Sequence, residues 1–130
     1  MKPATRNWLE SANYDLRAAH SMLSSEQYLY VVFLCHLTLE KVLKAILTEI
    51  KDEQPPRTHN LIYLLKLTCI QLEPRHRNFI SMINDASIPT RYPSNFSKAI
   101  EAYPQHVAKD YLNQTEEVLH WLKSQPILTE

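Results

Sequence analysis

Apolar residues along this chain recur every three or four positions, and the longest such stretch runs from Gln27 to Lys51. A rotation of about 100° per residue gathers its leucines, valines and isoleucines on one half of a helix. The first part of the stretch is apolar almost all round, which is typical of a central helix packed by several neighbours. The second part keeps a polar ridge at i, i+4 and i+8, formed by His36, Glu40 and Lys44. We interpret the ridge as a solvated face whose ion pairs each contribute only about 0.2–0.5 kcal/mol.

The same spacing predicts helices on both sides of the central one. A first helix is expected from Pro3 to Leu23 and a third from Leu61 to Leu72. Pro74 opens a fourth helix, a short helical turn follows from Phe96, and a last helix runs from Pro104 to about Ser124. No alternating strand pattern of useful length occurs. The pattern therefore predicts an all-α fold, an antiparallel up-and-down bundle of four to five helices.

Two proline-containing segments interrupt the helical pattern. The first, DEQPPRTHN, spans Asp52 to Asn60, and the second, DASIPTRYPSN, spans Asp85 to Asn95. A residue that precedes proline avoids the α conformation, so both segments are predicted to be loops. Thr58 or Asn60 can then cap the third helix.

Composition narrows the class of protein. With 130 residues, the chain is long enough for one domain with its own core, spanning residues 1–130. Lys+Arg and Asp+Glu are 14 each, so bulk charge gives no argument for a nucleic-acid or anionic-membrane partner. Glycine is absent, which excludes a P-loop, a Rossmann fingerprint and an EF-hand in their usual forms.

Cysteine usage and hydropathy indicate the compartment. Cys35 and Cys69 both lie within apolar periodic stretches, as small core residues of a reducing compartment do. No cysteine–histidine cluster has zinc spacing, and we expect neither a metal nor a cofactor. The N-terminal residues contain no apolar signal region, and no run approaches 18 apolar residues. We therefore expect a cytoplasmic protein without a membrane association.

The two proline segments contain the residues best suited to bind a ligand. Arg57 and His59 lead into a helix N-terminus, whose free N–H groups favour a phosphate. Arg91 and Tyr92 stand side by side, and an arginine with an aromatic ring can hold a phosphate and stack on a base. Lysines of the central helix add positive charge. The candidate nucleotide- or phosphate-binding residues are Lys41, Lys44, Arg57, His59, Arg91 and Tyr92.

The topology predicts that these residues form a single anion site. In an antiparallel bundle both proline segments open at one end of the domain, where Arg57 and Arg91 can converge. The alternative is structural: each arginine caps a helix C-terminus, or the two neutralise an acidic cluster at Glu49, Asp52 and Glu53.

Four segments occur in an order that resembles the HEPN domain, a small all-helical domain. They are the helix from Trp8 to Ala19, CHLTLEKVLKA (Cys35 to Ala45), PPRTHNL (Pro55 to Leu61) and TRYP (Thr90 to Pro93). The resemblance covers nearly the whole chain and implies a four-to-five-helix bundle that is commonly a symmetric homodimer. Many bacterial members pair with a minimal nucleotidyltransferase in a toxin–antitoxin or related system. Others bind nucleotides, and many are metal-independent ribonucleases.

The chain departs from the ribonuclease branch of this family. That branch carries an arginine followed, after four to six residues, by a histidine on a late helix. No arginine of this chain has a histidine at those positions, and Arg91 is followed there by Phe96, Ser97 and Lys98. The resemblance thus favours a non-enzymatic module that binds a nucleotide or a nucleotidyltransferase partner. The alternatives are a divergent metal-independent ribonuclease that uses Arg91 with His36 or His59, and a structural helical adaptor without a ligand.

The central helix also predicts a homodimer. It is apolar on more sides than a small bundle covers, because Tyr30, Phe33 and Leu37 fall on its otherwise polar half. These side chains would form an exposed patch unless a partner buried them. A second copy of the chain, in a symmetric arrangement, is the expected partner.

Overall fold

In the computed structural model, residues 1–129 form six α helices and one short 3-10 turn, with no strand among them. The helices are α1 (Pro3–Ser24), α2 (Tyr28–Ile50), α3 (Leu61–Thr68), α4 (Pro74–Arg91), α5 (Phe96–Ala102) and α6 (Gln105–Lys123), and the turn spans Pro126–Leu128. The predicted all-α bundle is confirmed. None of the helices in this part of the chain combines the length and apolar character needed to cross a membrane.

The core is organised around α2, which packs against α1, α3, α4 and α6. Its contacts with α1 show an antiparallel pair, since Lys41 reaches Ser11 while Lys44 lies against Trp8. Burial of a leucine- or isoleucine-sized side chain stabilises the fold by about 1.5–3 kcal/mol. The fully buried apolar side chains of α2 include Val31, Val32, Cys35, Leu39, Val42, Leu43 and Ile46.

The polar ridge on α2 is buried, so its interpretation as a solvated face is wrong. His36, Glu40 and Lys44 are only 1%, 4% and 7% exposed. The loop before α3 and the end of α4 close over this side of α2, bringing His59 against Glu40 and Arg91 over Phe33. The periodicity of one helix cannot predict that its polar face is buried, because the residues that bury it are far away in the sequence.

Among residues 1–129, two residues adopt the left-handed conformation in which a glycine would be favoured. Glu26, in the connection between α1 and α2, has φ 63°, and Cys69, which ends α3, has φ 60°. The left-handed turn at Cys69 stops α3 at Thr68, so the expected extension of this helix to Leu72 is wrong. Cys69 is also exposed rather than a core residue. Cys35 is buried as expected, and burial raises the pKa of its thiol to about 12.

Helix α4 continues through Pro89 to Arg91, so the loop predicted from Asp85 begins about seven residues later. Proline removes one helical hydrogen bond and costs about 3 kcal/mol or more inside a helix. The inward face of α4 nevertheless continues past this position, since Ala86 and Thr90 are buried. The Thr90 hydroxyl also donates a hydrogen bond to the Ala86 carbonyl at 2.7 Å. Only the segment from Tyr92 to Asn95 remains non-helical before α5.

The start of α3 is fixed by two asparagines. The Asn60 side chain caps the helix by accepting a hydrogen bond from the Tyr63 N–H at 3.1 Å, which confirms one of the two predicted caps. Asn84 of α4 accepts a hydrogen bond from the Leu61 N–H at 2.8 Å. The loop that contains Arg57 and His59 is therefore tied to α4.

The burial of His36 makes the stability of the protein depend on pH. Burial lowers the pKa of His36 from 6.5 to about 4, although the Glu40 carboxylate acts in the opposite direction. The unfolded chain therefore binds a proton at pH values where the folded chain does not, and the free energy of unfolding falls as the pH drops from 6.5 towards 4. We expect this histidine alone to remove about 2 kcal/mol between pH 7 and pH 5.

Urea denaturation at pH 7 and pH 5 measures this loss. The His36→Leu variant should show a correspondingly smaller difference between the two pH values, whatever its absolute stability. His106 is exposed, so His106→Gln is a matched control that should keep the wild-type difference. An unchanged pH dependence in His36→Leu would contradict the assignment.

Candidate functional site

The carboxylate of Glu40 joins α2 to the loop before α3. Its Oε2 accepts a hydrogen bond from Lys44 Nζ at 3.0 Å, and its Oε1 accepts one from His59 Nδ1 at 2.9 Å. His36 Nδ1 lies 3.8 Å from Oε1, beyond hydrogen-bonding distance. A buried carboxylate is unfavourable unless it is paired and hydrogen-bonded. Lys44 and His59 supply these partners, one from the same helix and one from the loop.

His59 presents a ring nitrogen to solvent while its other nitrogen is held in place. Its side chain is 63% exposed, although the Glu40 side chain that it contacts is buried. An ionised carboxylate only accepts hydrogen bonds, so Nδ1 carries the hydrogen in this contact. In the neutral ring Nε2 is then an acceptor. No residue among 1–129 bonds to Nε2, so His59 can accept a hydrogen bond or a proton from a ligand.

Arg91, the last residue of α4, carries a guanidinium group with unused donors. The group lies over the Phe33 ring, with its carbon 4.6 Å from the ring centroid, in a cation–π contact. Nε and Nη2 have no hydrogen-bond partner among the described residues. Burial is the main cause of the lowered pKa of His36, and the Glu40 carboxylate raises that pKa. The positive charge of Arg91 lowers it further. The arginine therefore places an unpaired positive charge beside the buried ridge.

A cavity of about 470 Å³ lies between the loop before α3 and the end of α4; we call it the Arg91 cavity. Tyr92 stands at this cavity and is 77% exposed, which leaves its ring free to stack on a flat ligand. The two proline segments thus converge, and every residue at their meeting point except Ile88 carries a polar or charged group. The lining residues are His59, Asn60, Asn84, Ser87, Ile88, Arg91 and Tyr92.

Two of the other predicted cations, Lys44 and Arg57, line a second and larger cavity, which we call the Trp8 cavity. It measures about 540 Å³ and lies between the start of α1, the end of α2 and the loop that follows α2. Lys44 and Arg57 both contribute to its wall, and Lys44 Nζ is 5.7 Å from the centroid of the Trp8 ring. The expected single anion site is therefore divided, with Arg57 at one cavity and Arg91 at the other. Glu40 connects them, because it binds Lys44 on one side and His59 on the other.

Lys41 lines neither cavity. Its Nζ lies 2.7 Å from Asp15 Oδ2 and 2.7 Å from Ser11 Oγ, both on α1. The Asp15 carboxylate, itself largely buried, neutralises this lysine. The structure therefore separates Lys41 from the other five candidate residues.

Lys2 binds two carboxylates of the acidic cluster near the end of α2, those of Glu49 and Asp52. The backbone N–H of Lys2 donates to Glu49 Oε1 at 2.9 Å, and its Nζ lies 3.1 Å from Asp52 Oδ1. Neither Arg57 nor Arg91 forms an ion pair within residues 1–129. The two arginines therefore do not pair with this cluster. The Lys2 ammonium also binds the carbonyls of Thr48 and Lys51.

Glu40 is a site residue that the candidate set did not contain, and Phe33, Trp8 and Asn84 were also outside it. The sequence could have indicated Glu40. A polar residue on a helix that is otherwise apolar almost all round is expected to be buried by neighbouring elements and to need hydrogen-bond partners. The rings of Phe33 and Trp8 lie beneath cations, but in a sequence these two residues look like ordinary core residues.

Among residues 1–129 no group of three or more histidine, cysteine, aspartate or glutamate side chains could hold a metal ion.

Comparison with known proteins places the chain in a family. Its sequence matches the HEPN domain over residues 5–125. Among solved structures, TT1696 from Thermus thermophilus superposes with a TM-score of 0.78 at 22% identity, covering 94% of this chain and 98% of that one. ST0689, an archaeal HEPN homologue, superposes with a TM-score of 0.74 at 25% identity, covering 96% of this chain and 98% of that one. None of the curated proteins matches the sequence. The family match spans nearly the whole chain, which therefore belongs to the HEPN domain family.

Proposed function

We propose that this HEPN chain is a nucleotide-binding module whose ligand occupies the Arg91 cavity. The observation that carries the proposal is the guanidinium group of Arg91, which has two nitrogens without a partner in the described residues. Buried donors that lack an acceptor are costly, by about 1–3 kcal/mol for each group. Both nitrogens are buried in the unliganded chain, so we propose that the guanidinium turns towards the cavity when a phosphate binds. Its donors then match the geometry of two phosphate oxygens.

The remaining groups of the cavity suit the other parts of a nucleotide. Tyr92 offers an exposed ring on which a base can stack, a contact that is sequence-tolerant because every base has a π-face. His59, with its Nδ1 held by Glu40, presents Nε2 to a hydroxyl or phosphate group. The cavity volume of about 470 Å³ falls within the range of small-molecule sites.

The other candidate residues have different parts in this proposal. Lys44 acts through Glu40, since their ion pair fixes the carboxylate that orients His59. Lys41 is left out of the ligand site because Asp15 neutralises it. Arg57 lies at the Trp8 cavity rather than beside Arg91.

A second candidate function is metal-independent RNA cleavage, and one observation favours it. His59 and Arg91 line the same cavity even though they are far apart in the sequence and lack the arginine–histidine spacing of the ribonuclease branch. Cleavage of this kind needs an acid or base at the 2′-hydroxyl and a cation at the phosphate. The His59–Glu40 pair and Arg91 are residues of those types. We rank this function second because the spacing that marks the ribonucleases is missing.

A second copy of the chain and a minimal nucleotidyltransferase are the proposed protein partners. Tyr30 is 57% exposed near the start of α2, and Phe96 and Ile100 are exposed on α5, which packs against α2. Phe33 is partly covered by Arg91 instead of protruding. We propose that a second copy covers these exposed apolar side chains. The nucleotidyltransferase is proposed from the family resemblance alone, and a small nucleotidyltransferase in the adjacent reading frame would support it.

Nucleotide titration by calorimetry tests the leading proposal. We expect adenosine or guanosine phosphates to bind the wild type, and Arg91→Ala to weaken binding about 10- to 150-fold, because it removes charged hydrogen bonds to phosphate. Arg77 is exposed on the same helix, so Arg77→Ala is the matched control and should bind as the wild type does. The proposal is wrong if no nucleotide binds or if Arg91→Ala binds unchanged. Equal thermal stability of the two variants would exclude a purely structural role for Arg91.

We predict that the purified protein does not cleave labelled single-stranded RNA or a tRNA pool in the presence of EDTA. The physical reason is that the histidine that shares the cavity with Arg91 comes from a loop and not from the helical position that the ribonucleases use. Cleavage that disappears in His59→Ala or His36→Ala, but persists in Arg77→Ala, would promote the ribonuclease function over the binding module.

Light scattering at tens of micromolar tests the homodimer. The wild type should show twice the 15.2 kDa mass of one chain. A Tyr30→Asp and Phe96→Asp double variant should be monomeric, because two buried carboxylates without partners oppose association. Tyr14 is similarly exposed but lies on α1, so Tyr14→Asp should remain dimeric. A monomeric wild type would exclude this partner.

A further inference from the structure

The Trp8 cavity has the features of a ligand site, and the proposed nucleotide site does not use it. Its volume of about 540 Å³ exceeds that of the Arg91 cavity. One wall is apolar, formed by the Trp8 ring and by Pro55 and Pro56 in the loop after α2. Pockets of this size with a mainly apolar wall and a few charged groups are typical of small-molecule sites.

The charges around this cavity do not all remain available to a ligand. Lys44 is paired with Glu40 at 3.0 Å. Lys2 is paired with Asp52 at 3.1 Å. These four side chains neutralise one another.

Three charged side chains on the wall have no side-chain partner among residues 1–129: Lys51, Glu53 and Arg57. Two are cations and one is an anion, so the unpaired side chains leave the cavity with one excess positive charge. A ligand with a single negative charge balances that excess, whereas a phosphate monoester that carries nearly two charges overshoots it.

We propose that the Trp8 cavity is a second ligand site, separate from the Arg91 cavity, for a small organic monocarboxylate with a flat apolar body. The carboxylate lies between Arg57 and Lys51, and a guanidinium is the donor best matched to a carboxylate because it can bind both oxygens. The flat body packs against the Trp8 ring and the two prolines. This site is independent of the nucleotide proposal, because it shares no lining residue with the Arg91 cavity.

Trp8 also provides a reporter with an internal reference. The chain contains two tryptophans, and the second, Trp121, lies on α6 with its ring 6.4 Å from that of His76. The two indole N–H signals in a nitrogen-15 correlation spectrum can therefore be followed together. Benzoate and 2-naphthoate are the probes, and benzamide and 2-naphthamide are their uncharged counterparts of nearly the same shape.

We expect the Trp8 signal to shift in a saturable manner with at least one carboxylate, while the Trp121 signal stays in place. The matching amide should bind about tenfold more weakly or worse, because it lacks the charge that Arg57 and Lys51 hold. Arg57→Ala should weaken carboxylate binding by a similar factor, and Arg77→Ala should leave it unchanged.

Three results would overturn the proposal. They are a Trp8 signal that does not move up to millimolar carboxylate, a response that is equal for acid and amide, and unchanged binding in Arg57→Ala. Loss of the Trp8 response in Arg91→Ala would overturn the claim that the two sites are separate. The nucleotide titration stands apart from all of these outcomes, since it uses a different ligand and a different arginine.

Discussion

The structure depends on the burial of one carboxylate, that of Glu40, in the middle of its central helix. An unpaired buried carboxylate would be strongly unfavourable, and removing one partner of a buried ion pair typically costs about 3–5 kcal/mol. Lys44 comes from the next turn of the same helix, whereas His59 must be brought from the loop after α2. The need to pair Glu40 therefore fixes the position of a segment that has no regular secondary structure.

This one interaction also organises the surface around it. The loop that supplies His59 forms part of both cavities, with His59 and Asn60 at the Arg91 cavity and Pro55 to Arg57 at the Trp8 cavity. The Asn84 contact to Leu61 holds the end of the same loop against α4. A change at Glu40 would consequently disturb both cavities, whereas a change at Arg57 or Arg91 acts on one of them.

The chain keeps the HEPN fold without the arginine–histidine spacing of the ribonuclease branch. Here the arginine ends one helix and the histidine comes from a loop more than thirty residues earlier, yet both line the same cavity. Spacing along one helix can bring an arginine and a histidine together, and here a loop and the end of a helix do so instead. Function in this family must therefore be argued from the site of each chain and not from the fold.

The sequence by itself determined the helices, because helical periodicity and capping are local properties. The central helix, the proline starts of α1 and α4, the short α5 and the Asn60 cap all agree with the pattern within a few residues. There are two exceptions, at Pro89 and at the end of α3. Pro89 is carried inside α4 by the burial of residues on both sides, and α3 ends early where Cys69 turns left-handed.

The candidate site was only partly determined by the sequence. Residue types and loop positions indicated Arg57, His59, Arg91 and Tyr92, and the bundle topology indicated that their loops meet. Only the tertiary structure decided that Arg57 and Arg91 line separate cavities, that Asp15 neutralises Lys41, and that the ridge on α2 is buried. The physical reason is that burial and ion pairing depend on contacts between residues that are distant in the sequence. The pattern of one helix carries no information about the charges on the elements that pack against it.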